Sequence, residues 1–199
     1  MNRPIPTSFR EPDLDGPLEV ELVLRSIPAN ATMTGLFLAA VVREAERLHV
    51  KLPSARERYG SFRPYPLREH AELLVQASRA LWPTVPIRQS LRKLGRGAPR
   101  TLVQSMVGRV VLGSVEGPME ILRAMAKSYS IHTQPGKLEV IDLGPGRAVV
   151  RMTEIHHFLD SHHVGVFEGV LRWAQVTGTV RIHVYSRTDA DLLCEWKAS

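Results

Sequence analysis

Cysteine is almost absent: Cys194 is the only one in 199 residues. A single thiol excludes an internal disulfide and any structural zinc site built on thiolates, and its place in an alternating apolar run predicts a buried strand residue. Long hydrophobic runs are also missing. The longest, Leu36–Val42, falls far short of the roughly 20 residues that span a bilayer, and no apolar stretch follows a basic start as in a signal peptide. The expectation is a cytoplasmic protein without a transmembrane segment. Aromatic residues make up only 6%, so Phe62, Tyr65, Trp82, Phe167, Trp173 and Trp196 read as core pieces or interface anchors. Trp173, at the edge of its helical stripe, suits a homodimer contact.

Acidic residues are missing from 73–115, where Arg79, Arg88, Arg92, Lys93, Arg96, Arg100 and Arg109 all fall. One face of the helical half is therefore positive, and Arg88, Arg92, Lys93, Arg96 and Arg100 suit contact with an acidic partner. The alternative is a solvated face balanced in space by the acidic 11–21 segment. Overall, 26 basic against 20 acidic residues is a mild excess. Nucleic-acid binding through Arg88–Arg109 is possible but not favoured, because the interleaved aromatics of single-strand binders and a clear helix-turn-helix are both lacking.

Residues 1–16 carry three prolines and scattered apolar residues, which predicts a flexible arm before a single domain over 17–199. Leu18, Val20, Leu22 and Leu24 alternate with other residues and predict a strand. A helix capped by Asn30 or Thr32 runs to about His49, and another starts at Pro66 and stops at Pro83, with Leu67, Ala71, Leu74, Ser78 and Leu81 as its apolar stripe. A short basic helix ends at Gly95, and an αα-hairpin built on Leu102–Val111 and Met119–Tyr129 follows. The period then changes. Leu138–Asp142 and Arg147–Met152 flank Gly144-Pro145-Gly146 as a β-hairpin, a helix covers Val164–Val176, and strands at Val180–Val184 and Leu192–Trp196 close the chain. The predicted fold is α+β: five or six helices packed on an antiparallel sheet, a C-terminal ββαββ unit and an N-terminal strand.

The densest chemistry is His156, His157, Asp160, His162 and His163, with Glu168 close behind. Imidazoles and carboxylates together can hold a metal or a haem iron. Neighbouring histidines point in different directions, however, and no pair has the i, i+4 spacing of a helical zinc site. The same residues also suit a polar helix entrance capped by Asp160 or Ser161, or a pH-responsive surface. No nucleophile has an evident base, and the glycine-rich phosphate-binding patterns are missing, so catalysis is not expected and no cofactor is specified.

At Ile27–Val42, Tyr65–Pro83, Arg88–Gly95 and Phe158–Ala174 the chain resembles a family of uncharacterised myxobacterial paralogues of about 200 residues, with the likeness running from Pro17 to Trp196. Helices followed by ββαββ are also similar, more distantly, to the ligand-binding superfamily of haem nitric-oxide sensors, 4-vinyl-reductase domains and Golgi-transport subunits. In the haem sensors a Tyr-x-Ser-x-Arg signature grips the propionates; here Tyr185-Ser186-Arg187 has those residue types without that spacing. The resemblance implies a non-catalytic signalling or adaptor module, homodimeric, holding a small apolar ligand or a protein partner between helices and sheet. A haem or metal sensor using His156–His163 is its alternative.

Overall fold

A computed structural model describes residues 3–104 and 115–197. Six helices and seven strands are described in the order α1 Val20–Ser26, β1 Thr32–Thr34, α2 Gly35–Arg47, β2 Pro64–Pro66, α3 Leu67–Leu81, α4 Ile87–Gln104, α5 Pro118–His132, β3 Thr133–Gln134, β4 Lys137–Asp142, β5 Arg147–Thr153, α6 His162–Trp173, β6 Gly178–Val184 and β7 Ala190–Trp196. The fold is the expected α+β arrangement of helices on antiparallel sheet. β4 to β7 form one sheet in the order β4-β5-β7-β6, and a second, small sheet has the order β2-β1-β3. No helix among the described residues is long and apolar enough to cross a membrane.

Alternation decides the sheet's two faces. Register pairs Val150 with Leu192 and Ile182 with Leu192, so Ala148, Val150, Met152, Val180, Ile182, Leu192 and Cys194 face the helices and share their core. Cys194 is buried there as a free thiol, and burial pushes its pKa up to about 12, which leaves it unreactive. The other face carries Arg151 and Asp191, paired at 3.1 Å. Residues of the expected flexible arm reach that face and the β6 edge: Arg3 donates to Asp191 at 2.9 Å, and Arg10 exchanges two backbone hydrogen bonds with Ile182 at the edge (3.0 and 2.8 Å).

Three expectations are corrected. The N-terminal strand is a helix: within α1, Val20 is buried, Val23 and Leu24 pack at its side, and Leu22 is exposed. Leu18–Leu24 satisfies the i, i+3, i+4 pattern as well as alternation, and packing on α3 selects the helix. The helix after it starts later than Asn30 or Thr32, at Gly35, because Thr32–Thr34 is held as a strand between Pro64–Pro66 and Thr133–Gln134. The basic helix does not stop at Gly95; α4 continues through Gly95, Gly97 and Pro99 to Gln104. Gly95 admits a neighbour: a Cβ there would overlap the His162 carbonyl, and on the facing helix one at Gly165 or Gly169 would overlap the carbonyls of Arg92 or Arg96. α4 and α6 therefore cross at backbone distance, where glycine alone fits. Of the expected αα-hairpin, α5 is observed, and residues 105–114, with Arg109, lie outside the described residues.

Candidate functional site

The α4–α6 crossing fixes the start of α6, and with it two adjacent histidines. His162 and His163 open the helix with Ser161 at the cap position, as the polar-entrance reading expects, yet the Ser161 side chain makes no capping hydrogen bond. Both imidazoles are buried rather than solvated. The loop that precedes them brings in His157, and it holds Glu154 and Phe158 at φ 55° and 45°. Such left-handed backbone is costly for residues with a Cβ and persists where surrounding packing imposes it.

A fourth histidine joins them from α3. His70 stands between Leu67 and Leu74 on the buried stripe. The four rings meet edge to face: centroids are 5.3 Å apart for His70–His157, 5.0 Å for His157–His163, 5.6 Å for His162–His163 and 6.3 Å for His70–His162. Tyr129 of α5 adds its ring 5.7 Å from that of His163. Together they border a cavity of about 60 Å³ between α2, α3, α4, α5 and α6, whose remaining wall is apolar but for Glu44 and includes Phe37, Leu74, Met125 and Phe167.

Burial sets the charge of this site. It pushes His70 down to about 3 and His163 down to about 4. It also drives His157 and His162 well below the usual histidine range, reinforced by the neighbouring imidazoles. All four are neutral at physiological pH. A neutral imidazole offers one donor and one acceptor. Yet both ring nitrogens of His157, Nδ1 of His70 and of His162, and the Tyr129 hydroxyl are buried without a hydrogen-bond partner. His163 Nδ1 reaches the Phe158 carbonyl only at 3.5 Å.

The other residues singled out in the sequence lie elsewhere. Glu168 is ion-paired with Arg92, whose Nε is at 2.9 Å, and with Arg96 at 2.6 Å, and Asp160 is ion-paired with Arg88. His156 faces a separate groove beside Phe158 and Arg88. Among the described residues no three His, Cys, Asp or Glu side chains are placed to hold a metal ion. Arg88, Arg92 and Arg96 of the basic face are thus matched within the chain, Lys93 lies 5.7 Å from the Trp82 ring centroid, and Arg100 is exposed. Trp173 is half-buried against the core. His70 belongs to no motif in the sequence, and its signal there is a polar residue spaced for the apolar stripe of α3.

A family model described as "Protein of unknown function (DUF2378)" matches residues 27–197. No curated protein matches. Among solved structures, the Fe(II) unliganded H-NOX protein from K. algicida aligns with TM-score 0.60 and 14% identity over 84% of this chain and 98% of its own. The S. oneidensis H-NOX protein in the Fe(II)NO state gives 0.58 and 13% over 83% and 99%. An H-NOX structure that probes heme distortion gives 0.60 and 11% over 83% and 95%. These likenesses establish the fold.

Haem is the group that this likeness raises, and the lining can be held against it. An imidazole for the iron is present. The cavity, at about 60 Å³, has room for a few waters, far less than a macrocycle needs. Among the described lining residues the one charged side chain is a carboxylate, Glu44, where propionates would need cations. Tyr185 hydrogen-bonds Asp191 at 3.2 Å on the far face of the sheet. The residues present do not fit haem in this arrangement.

Proposed function

We propose, from the premise that the chain belongs to the DUF2378 family, that it is a non-catalytic sensor domain whose small ligand occupies the histidine-lined cavity between the helices and the C-terminal sheet. The observation that carries this reading is the set of buried polar atoms without partners on a wall otherwise apolar but for Glu44. In native proteins such atoms are met by ordered water or by a ligand. α6 begins at the cavity and packs on β6, so occupancy has a direct route to the sheet.

Xenon tests the reading whatever the ligand is, because it enters dry apolar cavities. Under xenon pressure the largest NMR shift changes are expected at Leu74, Met125 and Phe167, and an absence of localised changes would overturn the reading. A haem sensor is the second reading, favoured by the fold shared with H-NOX structures. It requires the cavity to widen. Stoichiometric hemin is expected to give no sharp Soret band; a sharp band abolished by His163→Leu would favour haem instead.

A further inference from the structure

The cavity's unmet polar atoms and the lack of cations among its described lining residues together narrow the chemistry of what binds, an inference that rests on the sensor reading above. Five buried atoms have no partner: Nδ1 of His70, Nδ1 and Nε2 of His157, Nδ1 of His162 and the Tyr129 hydroxyl. Each such atom has given up its water without gaining a partner, a desolvation cost that nothing in the fold offsets. An occupant that meets even two of them gains directly.

His157 is decisive among them, because with both nitrogens unmet it presents one donor and one acceptor whichever tautomer it adopts. Charge on the occupant finds no partner among the described residues. None of the described lining residues is a lysine or arginine, so an anion would meet no cation there. The lining carboxylate, Glu44, is already held by Arg47 through hydrogen bonds of 3.1 and 2.7 Å, so a cation finds no open counter-charge. Phe37, Leu74, Met125 and Phe167 leave apolar wall for a ring.

We propose that the cavity binds a small uncharged molecule, no larger than a single five-membered ring and bearing one hydroxyl or N–H group, which donates to a buried imidazole nitrogen of His157 or of its neighbours while its apolar part packs on the apolar wall. Selectivity then comes from the hydrogen bond. A site built to meet a ligand's N–H rejects the isostere lacking it, because its own polar atoms stay unmet.

Pyrrole and furan have nearly the same shape and differ in the N–H. Calorimetric titration of the full chain is expected to show pyrrole binding at least tenfold more tightly than furan, with no binding of formate. His157→Leu is expected to abolish the preference and also to raise the melting temperature of the ligand-free protein, since it removes two unmet polar atoms. A histidine that merely packs would lower that temperature. Equal binding of pyrrole and furan, or tighter binding of formate, overturns the ligand class while leaving the cavity as the site. Failure of all three together with an absence of xenon shifts overturns the sensor reading as well. Should His157→Leu not fold, His70→Leu carries the same comparison.

Discussion

Gly165 passes so close to Arg92 that a Cβ on the glycine would overlap the arginine's backbone carbonyl. One turn along, Gly169 stands in the same relation to Arg96 and Gly95 to His162. The crossing therefore depends on three hydrogens in place of three methyl groups, and it sets where His162 and His163 enter the cavity. Gly165→Ala is expected to destabilise the fold by about 1–3 kcal/mol, the usual cost of overpacking, despite alanine's better helix propensity. Urea denaturation checks this. Gly144→Ala in the β4–β5 turn is an informative contrast: space is open around it, and its cost comes from φ +101°.

The buried histidines make stability fall in mild acid. In the unfolded chain each titrates near 6.5, whereas in the fold His163 is held down to about 4 and His70 to about 3, with His157 and His162 well below 6.5. Between those limits the unfolded state binds more protons, so stability is complete above pH 6.5 and declines as the pH drops toward 4 and then 3. Each histidine contributes up to about 1.4 kcal/mol per pH unit within its window. Denaturation midpoints measured from pH 7.5 to 4.5 are expected to decline steeply, and His70→Leu is expected to flatten the decline. A flat profile in the wild-type protein would place these imidazoles in water.

Glu168 lies between Arg92 and Arg96 on the side of the crossing away from the cavity. Burial raises its carboxyl pKa, but hydrogen bonds and charge from the two arginines outweigh that and leave it below the usual range. Its pair with Arg92 is mostly buried, each side chain being 13% exposed. Glu168→Gln leaves Arg92 without its counter-charge and is expected to cost about 2–3 kcal/mol, somewhat below the ~3–5 kcal/mol of breaking a fully buried pair. The same variant adds a positive charge to the α4 face. If that face meets an acidic partner, retention on heparin at low salt rises; unchanged retention would show that Arg92 and Arg96 serve only the α4–α6 contact.

Much of this arrangement is legible in the sequence. The β4–β5 hairpin, α6 and the closing pair β6–β7 follow from changes of hydrophobic period and from turn residues, all local signals. What misleads is residues whose role is set by a distant neighbour. Gly95 reads as a helix stop because its reason for being glycine, the His162 carbonyl, lies far along the chain. Leu18–Leu24 fits two periods, and contact with α3 chooses between them. At the candidate site the run His156–His163 draws the eye, but the structure divides it: His157, His162 and His163 turn inward and His156 outward. His70 completes the group from α3. Spacing along one segment cannot show that convergence.

Arg151 and Asp191 form a buried ion pair across β5 and β7, with Asp191 fully buried and Arg151 nearly so. Arg3 adds a second, partly exposed cation to the same carboxylate and lies 4.0 Å from the Tyr185 ring centroid. The two arginines should therefore differ in weight. Asp191→Asn strands Arg151 in the sheet and is expected to cost about 3–5 kcal/mol. Arg3→Ala leaves the Arg151–Asp191 pair intact and is expected to cost about 1 kcal/mol or less, as partly exposed pairs do. Its effect should instead be local: Arg3 tethers the first residues to the sheet, so its loss is expected to raise amide exchange at Arg10 and Ile182, whose backbones pair at the β6 edge. Hydrogen exchange read by mass spectrometry separates the two outcomes. If Arg3→Ala leaves exchange at the β6 edge unchanged, the Arg10–Ile182 pairing holds without the tether.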